Sequence, residues 1–590
     1  MTNDNRSQMT GRHKRRPLTS VFFSAAWGRV LGLVLLTFSP IPSYAKKPQP
    51  PKYSSDLAPY FNSTGNVTVN IQFKSMPGNG AYKKWQGGGA RIGWKWQSIQ
   101  AVSMTIPGTM LATLAADNSV VYMSLDRKVG LTAANEDYTT AVEADVAASQ
   151  FAFDGTGVGV AVIDSGVTDH PDLHNASGAS RVVYSQSFVA GDSTTNDAYG
   201  HGTHVAGLVA GTGGASGNGN GYASKYAGMA PNVNIINLRV LDQNGVGTDS
   251  QVIAAIQQAI ALKSTYNIRV LSMSLGRPVF ESYTLDPVCQ AVEAAWKAGI
   301  VVVVAAGNNG RDNSMGTHGW ATVGVPGIDP AVITVGATRT KDTATRVDDA
   351  IASYSSRGPT LVDHIAKPDL VAPGNRIVSL RATGSTLDTN YPSFQVGPNN
   401  GKSPKYFRLS GTSMATPLVS GAVALLLQQN PSLTPDQVKA RLMKTAWKGF
   451  GQYTSSYDDY GNLYNNQYDI FTYGAGYLDV DAALNNTDLA NGVALSPTAV
   501  FNPVTGMVTL VNTSNSAFAG SSVVWGATSV VWGTSVVWGA NAVLANSVVW
   551  GSTSVVWGST SILGNSVVWG ATSVTAAPMA AFSNGDDGED

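Results

Sequence analysis

IRVLSMSLGRPVFESYTLDPVCQAVEAAWKAGIVVVVAAGNNG, residues 268–310, holds the pattern that decides the fold. IRVLSMSL (268–275) and GIVVVVAAG (299–307) are short apolar runs, and between them DPVCQAVEAAWKAG has the spacing of a helix. Outward from this unit the same alternation repeats. VGVAVID (158–164) and VNIINLRVL (233–241) read as strands before it, and AVITVGAT (331–338) reads as one after it. DSQVIAAIQQAIALKST supplies a helix after the second strand. Apolar strands alternating with helices predict an α/β unit over 139–490, a mostly parallel sheet with helices on both faces.

Three of these strands end in polar residues. Asp164 closes the first, Ser274-Leu275-Gly276 close another, and Gly307-Asn308 follow a third. Ligands of open α/β sheets bind outside the carboxyl ends of the strands, so this edge is the expected site. Taken singly each residue has a plainer reading, since an Asp after a strand is often only a turn or cap. His201 stands in DAYGHGTHVAGLVAG among glycines that permit close backbone approach. His201 and His204 lie three apart, but no HExxH arrangement and no cysteine ligands accompany them, so no metal is expected there. Ser413, in LSGTSMATPLVSGAVALLLQQ, opens a long helix whose Pro417 is expected in the first turn. A first-turn serine is either a cap or a hydroxyl facing the positive end of a helix.

A hydroxyl needs a base to become a nucleophile, and the base needs a carboxylate to fix its tautomer. Asp in VIDSG, His in GHGTHVAG and Ser in GTSMATP, in that order, resemble the three signature blocks of the subtilisin-like (subtilase) family. The resemblance implies Asp164 as orienting carboxylate, His201 as general base and acid, and Ser413 as nucleophile. It further implies Asn308 as the oxyanion-hole side chain and Ser274, Leu275 and Gly276 as substrate-binding residues. SSRGPT (355–360) and KPDLVAPG (367–374) match family blocks of structural character. Relatives often hold a calcium loop where this chain has GTGGASGNGNGYASKYA. Here Asn218 and Asn220 are oxygen donors but no carboxylate accompanies them, so calcium stays open and unplaced, and no other cofactor is expected.

Around this unit the chain has three other zones. Arg12, Lys14, Arg15 and Arg16 precede the apolar run Val30 to Phe38, and Ser43-Tyr44-Ala45 follows, which predicts a signal peptide over 1–45 and export. Arg15-Arg16 raises a twin-arginine route that Pro17 fits poorly. Residues 46–138 alternate as a small α+β unit: VTVNIQF, IQAVSMTI and VVYMSLDRKV read as strands and PGTMLATLAAD as a helix. This zone resembles the inhibitory propeptide of subtilases. Residues 489–585 contain no charged side chain, and SVVWG recurs there with tryptophans at 525, 532, 538, 550, 557 and 569. That internal repeat predicts a β-rich tail over 491–590: a small solenoid, a low-complexity segment, or an attachment surface for cell envelope or self-association.

Thirty-eight basic residues balance thirty-eight acidic ones, which argues against a nucleic-acid partner. A single cysteine, Cys289, excludes an intramolecular disulfide and reads as a buried small hydrophobe. Together these observations predict a secreted serine endopeptidase made as a self-processing zymogen, with polypeptide substrates and its own propeptide as partners. The rival reading is a non-enzymatic surface adhesin that binds through the tryptophan repeat.

Overall fold

The computed structural model describes residues 52–61, 63–129 and 138–511, apart from 218, 342, 344, 451–452, 458–462 and 503–506, together with three short tail strands. All belong to one unit, Pro51–Asp590. The expected signal peptide, the join at 130–137 and most of the repeat lie outside the described residues.

Eight strands form the central sheet: β1 (Gly159–Asp164), β2 (Val182–Ser187), β3 (Asn234–Arg239), β4 (Ile268–Met273), β5 (Val301–Ala305), β6 (Ile333–Arg339), β7 (Ala350–Ile351) and β8 (Leu370–Pro373). Their order is β7-β6-β5-β4-β1-β3-β2, with β8 paired to β6. Every pair is parallel except the short β6–β7 pair. The five strands expected from sequence form its continuous middle, and β1 and β5 are buried along their whole length. Valine runs suit strands covered on both faces. β2, β7 and β8 were not anticipated, because VVYSQS is half exposed at the sheet edge and the other two are only two and four residues long.

Helices α1 (His201–Ala210), α2 (Asp249–Tyr266), α3 (Pro287–Lys297), α4 (Thr412–Gln429) and α5 (Pro435–Thr445) cover the sheet. Their starts are written in the sequence. Asp286 accepts from the Val288 and Cys289 N–H groups with Pro287 at the first helical position, and Thr434 and Gln437 cap each other. Cys289 is fully buried in α3, and burial pushes its thiol up. Packing continues past residue 490: Ala494, Ala499 and Leu510 join a core cluster with Trp320 and Phe471.

Residues 66–73, 91–96, 101–107 and 120–125 make an antiparallel four-stranded sheet with its own core, including Val69, Ile71, Trp85 and Met104. The helix Asn79–Gly87 and the strand Arg91–Trp96 were not expected, since glycines interrupt both. Of the tryptophan repeat, Val548–Trp550 and Val567–Trp569 pair in parallel, with Trp550 opposite Trp569. Among the described residues no helix is long and apolar enough to cross a membrane.

Candidate active site

Asp164 is the last residue of β1, and His201 the first of α1. Gly202 lets the helix sit directly on the loop after the strand: a Cβ there would lie 2.2 Å from the Gly166 carbonyl. That close seating brings His201 Nδ1 to 2.9 and 3.1 Å from the two Asp164 carboxylate oxygens. Asp164 Oδ1 also accepts from the Ser165 N–H at 2.7 Å, which fixes the carboxylate plane. With Nδ1–H donated to the carboxylate, His201 Nε2 carries the lone pair, and that atom is buried with no hydrogen-bond partner.

Asp197 holds the helix in this position. Its carboxylate accepts from the Gly200 N–H at 2.6 Å, the Thr203 N–H at 2.7 Å and the Ser165 hydroxyl at 2.7 Å, tying the start of α1 to the Asp164 loop. Burial pushes the Asp197 carboxyl up against the pull of these donors. Sequence reasoning missed this residue. The signal was present in DAYGH, where an Asp four residues before the histidine precedes a helix start.

Ser413 is the second residue of α4 and is buried. Its hydroxyl donates to the Ser274 carbonyl at 3.1 Å, while the Ser274 hydroxyl donates to the Ser413 carbonyl at 2.8 Å. Pro417 explains the second bond. It is the sixth residue of the helix, not a first-turn residue as expected, and the missing N–H of a proline leaves the carbonyl four residues earlier without its helical donor. That carbonyl belongs to Ser413, and Ser274 satisfies it. Asn308 Oδ1 accepts from the Thr412 N–H at 2.8 Å and from the Thr412 hydroxyl at 3.1 Å, which fixes its side-chain amide beside the start of α4. Leu275, Gly276, Asn308, Thr412 and Ser413 line one small pocket with Ala305 and Gly324.

The structure thus joins Asp164 to His201 and Ser413 to Ser274, and it packs α1 against α4. It forms no hydrogen bond from the Ser413 hydroxyl to His201, because that hydroxyl is turned to Ser274. His204, on the same helix, is held apart from this chemistry: its Nε2 faces the Ile377 and Phe407 carbonyls at 3.2 and 3.1 Å.

Among the described residues no group of three or more His, Cys, Asp or Glu side chains gathers at the loop with the two asparagines. The one nearby carboxylate, Asp172, is engaged by protein donors on both oxygens, the Ala215 N–H on one and the Tyr406 hydroxyl on the other. Asn220 spends its side-chain amide on the Gly214 carbonyl at 3.0 Å, and Asn218 lies outside the described residues.

A doubly covered parallel sheet with an imidazole–carboxylate pair and a helix-start serine at one edge is the arrangement of a serine hydrolase. The chain belongs to the subtilase family (Peptidase_S8), whose pattern matches residues 155–477. It is 43% identical over 293 residues to serine protease AprX of Bacillus subtilis, covering 49% of this chain and 61% of that relative. It is 35% identical over 343 residues to subtilisin DY of Bacillus licheniformis, covering 58% of this chain and 96% of the relative. In fold it is similar to fervidolysin from Fervidobacterium pennivorans, a keratinolytic enzyme related to subtilisin. The TM-score is 0.53 at 22% identity, over 77% of this chain and 67% of that one.

Proposed function

We propose that the chain is a secreted serine endopeptidase, made as a zymogen, in which Asp164, His201 and Ser413 act as one catalytic unit. The observation that carries this reading is the buried Asp164–His201 hydrogen bond with Nε2 left unpartnered beside the Ser413 helix. A lone pair kept without a donor in a buried site is costly unless something arrives to use it.

In the proposed cycle substrate binding turns the Ser413 hydroxyl from Ser274 to His201. His201 Nε2 removes the hydroxyl proton as the oxygen attacks the scissile carbonyl, and Asp164 stabilises the imidazolium that forms. The oxyanion is held by the Asn308 side-chain amide and the Ser413 N–H. His201 then gives its proton to the leaving amine, and water hydrolyses the acyl-enzyme by the same path in reverse. Ser274, Leu275 and Gly276 would bind the substrate chain at the pocket. The built hydrolytic geometry favours this reading over an adhesin scaffold.

The zymogen reading is supported by the seam between the N-terminal unit and the catalytic body. Lys128 and Val129 pair antiparallel with Thr248 and Gly247, and the Asp249 N–H donates to the Arg127 carbonyl at 2.8 Å. The unit's last described strand therefore lies on the catalytic body as an added strand, the way a peptide substrate is held by main-chain bonds. This edge is made by Gly247–Asp249, and the join that follows lies outside the described residues.

Ser413→Ala decides the core of the proposal. The variant should lose kcat by roughly 10⁶-fold, the loss that removing the subtilisin serine causes. Its melting curve should match the wild type, and it should fail to label with a fluorophosphonate. In purified precursor it should also keep the N-terminal unit attached, where wild type matures to a chain beginning near 130–140. Hydrolysis or normal maturation by purified Ser413→Ala would remove the assignment.

A further inference from the structure

The seam holds a side-chain site that the catalytic cycle does not use. Arg127, on the N-terminal unit, is buried against the catalytic body. Its guanidinium makes two parallel bonds of 2.5 Å to the Glu281 carboxylate oxygens and lies 4.7 Å from the Phe280 ring centre. Asp286 stands 3.8 Å away. A planar cation gripped by a carboxylate on two nitrogens and covered by an aromatic face is specific recognition of arginine, which a lysine does not reproduce.

On the catalytic body alone, this site carries more negative than positive charge. Arg277 bonds to Asp249 at 2.7 Å and to Asp286 at 2.6 Å. Asp249, Glu281 and Asp286 all belong to the catalytic body, so three buried carboxylates face the single guanidinium of Arg277. Asp249 Oδ2 is buried and has no hydrogen-bond partner even with Arg127 in place. Asp56, the other acid on Arg127 at 2.8 and 2.9 Å, belongs to the N-terminal unit and would leave with it. Departure of that unit would take from Glu281 the guanidinium that grips both its oxygens.

Position gives the vacancy a use. Arg127 precedes the two residues that lie on Gly247–Thr248 as an added strand. A substrate laid on the same edge carries its own side chain to the same place. Arg277 connects the two ends physically: it lines the pocket with Ser413 and Asn308, and its guanidinium reaches Asp249 and Asp286.

We propose that in the matured enzyme Phe280, Glu281 and Asp286 form a remote subsite that takes an arginine side chain of the polypeptide substrate, at the position Arg127 occupies in the precursor. This rests on the zymogen and peptidase reading above, and the test separates the two. Self-matured full-length enzyme is assayed on two internally quenched peptides of its own sequence, residues 124–139, one with arginine and one with neutral citrulline at position 127. The arginine peptide should be cleaved with roughly tenfold higher kcat/KM, carried by KM. Raising salt should shrink that advantage. Glu281→Gln should bring the ratio to within about twofold. Equal rates for the two peptides in wild type would overturn the subsite and leave the peptidase standing. Cleavage of neither peptide, nor of casein, would overturn both. Should Glu281→Gln fail to mature, the wild-type ratio and its salt dependence decide alone.

Discussion

Two buried carboxylates at opposite ends of the central sheet, Asp369 and Asp164, are held in opposite ways. At the amino end Asp369 is satisfied on every side. Its Oδ2 accepts from Lys367 at 2.7 Å and the Thr334 N–H at 2.8 Å, and its Oδ1 from Ser496 and from Lys439 at 3.3 Å. Lys439 in turn donates to the Pro330 and Val332 carbonyls at 2.7 and 2.9 Å. At the carboxyl end Asp164 has one ionisable partner, and that partner keeps a bare nitrogen. A closed network resists change and contributes to folding; an open one leaves capacity for a reacting group. Between Asp369 and Asp164 the difference is satisfaction of hydrogen bonds, not burial or charge.

The sharpest break of this comparison is Asp164→Asn. The amide keeps the shape of the carboxylate but offers an N–H where Nδ1–H must be accepted, so it favours the wrong tautomer. The kcat should fall by roughly 10⁴-fold, as in other serine protease triads. The urea midpoint should stay within the range of a surface substitution. A large fall in stability with little loss of turnover would mean that this edge is structural too.

Asp369→Asn is the mirror experiment. Burial opposes ionisation of Asp369, but Lys367 and Lys439 outweigh it and hold the carboxyl below the usual range. Burial also brings Lys439 down to about 7, with Asp369 resisting that fall. Removing the carboxylate takes away the ion-pair partner of buried Lys367, a change expected to cost about 3–5 kcal/mol of stability. Turnover per titrated active site should be unchanged at a temperature where the variant is folded. Loss of turnover without loss of stability would erase the distinction between the edges.

How much of this was legible in the sequence follows the same division. Asp164, His201, Ser413 and Asn308 stood in short blocks whose residue types announce their chemistry, and valine runs announced the buried strands. The closing network did not. Ser496 meets Asp369 across 127 residues of chain, and a lone serine in an uncharged stretch carries no sign of that partner. Ser274 was visible as a strand-end residue, but its exchange of bonds with Ser413 follows from the gap that Pro417 leaves in the helix. VVYMSLDRKV reads as one strand; it divides at Asp126-Arg127, because both side chains turn to the catalytic body, Asp126 to Ser250 and Arg127 to Glu281.

The finest test lies within one helix, where His204 sits one turn after His201. Its Nε2–H faces two carbonyls, and its buried Nδ1 has no partner. Protonation would place an N–H on Nδ1 with nothing to receive it, in a site that already excludes water. Burial, with the neighbouring His201 adding to it, accordingly lowers the His204 pKa to about 3. In the unfolded chain an imidazole titrates near ~6.5. Above that value both states are neutral and the residue adds no pH dependence. As pH falls below it, the unfolded chain takes up a proton that the folded one refuses, so stability drops until the folded value is reached. From pH 7 to pH 5 the loss through this residue should be about 2 kcal/mol. His204→Gln keeps an N–H donor for the carbonyls and cannot titrate. It should be less stable at pH 7 but lose less between pH 7 and 5, and carboxylates common to both proteins cancel in the difference. Urea unfolding at the two pH values measures it. Parallel losses in wild type and variant would show that His204 is charged in the folded protein, and that the two histidines of the helix are not divided by their hydrogen bonds.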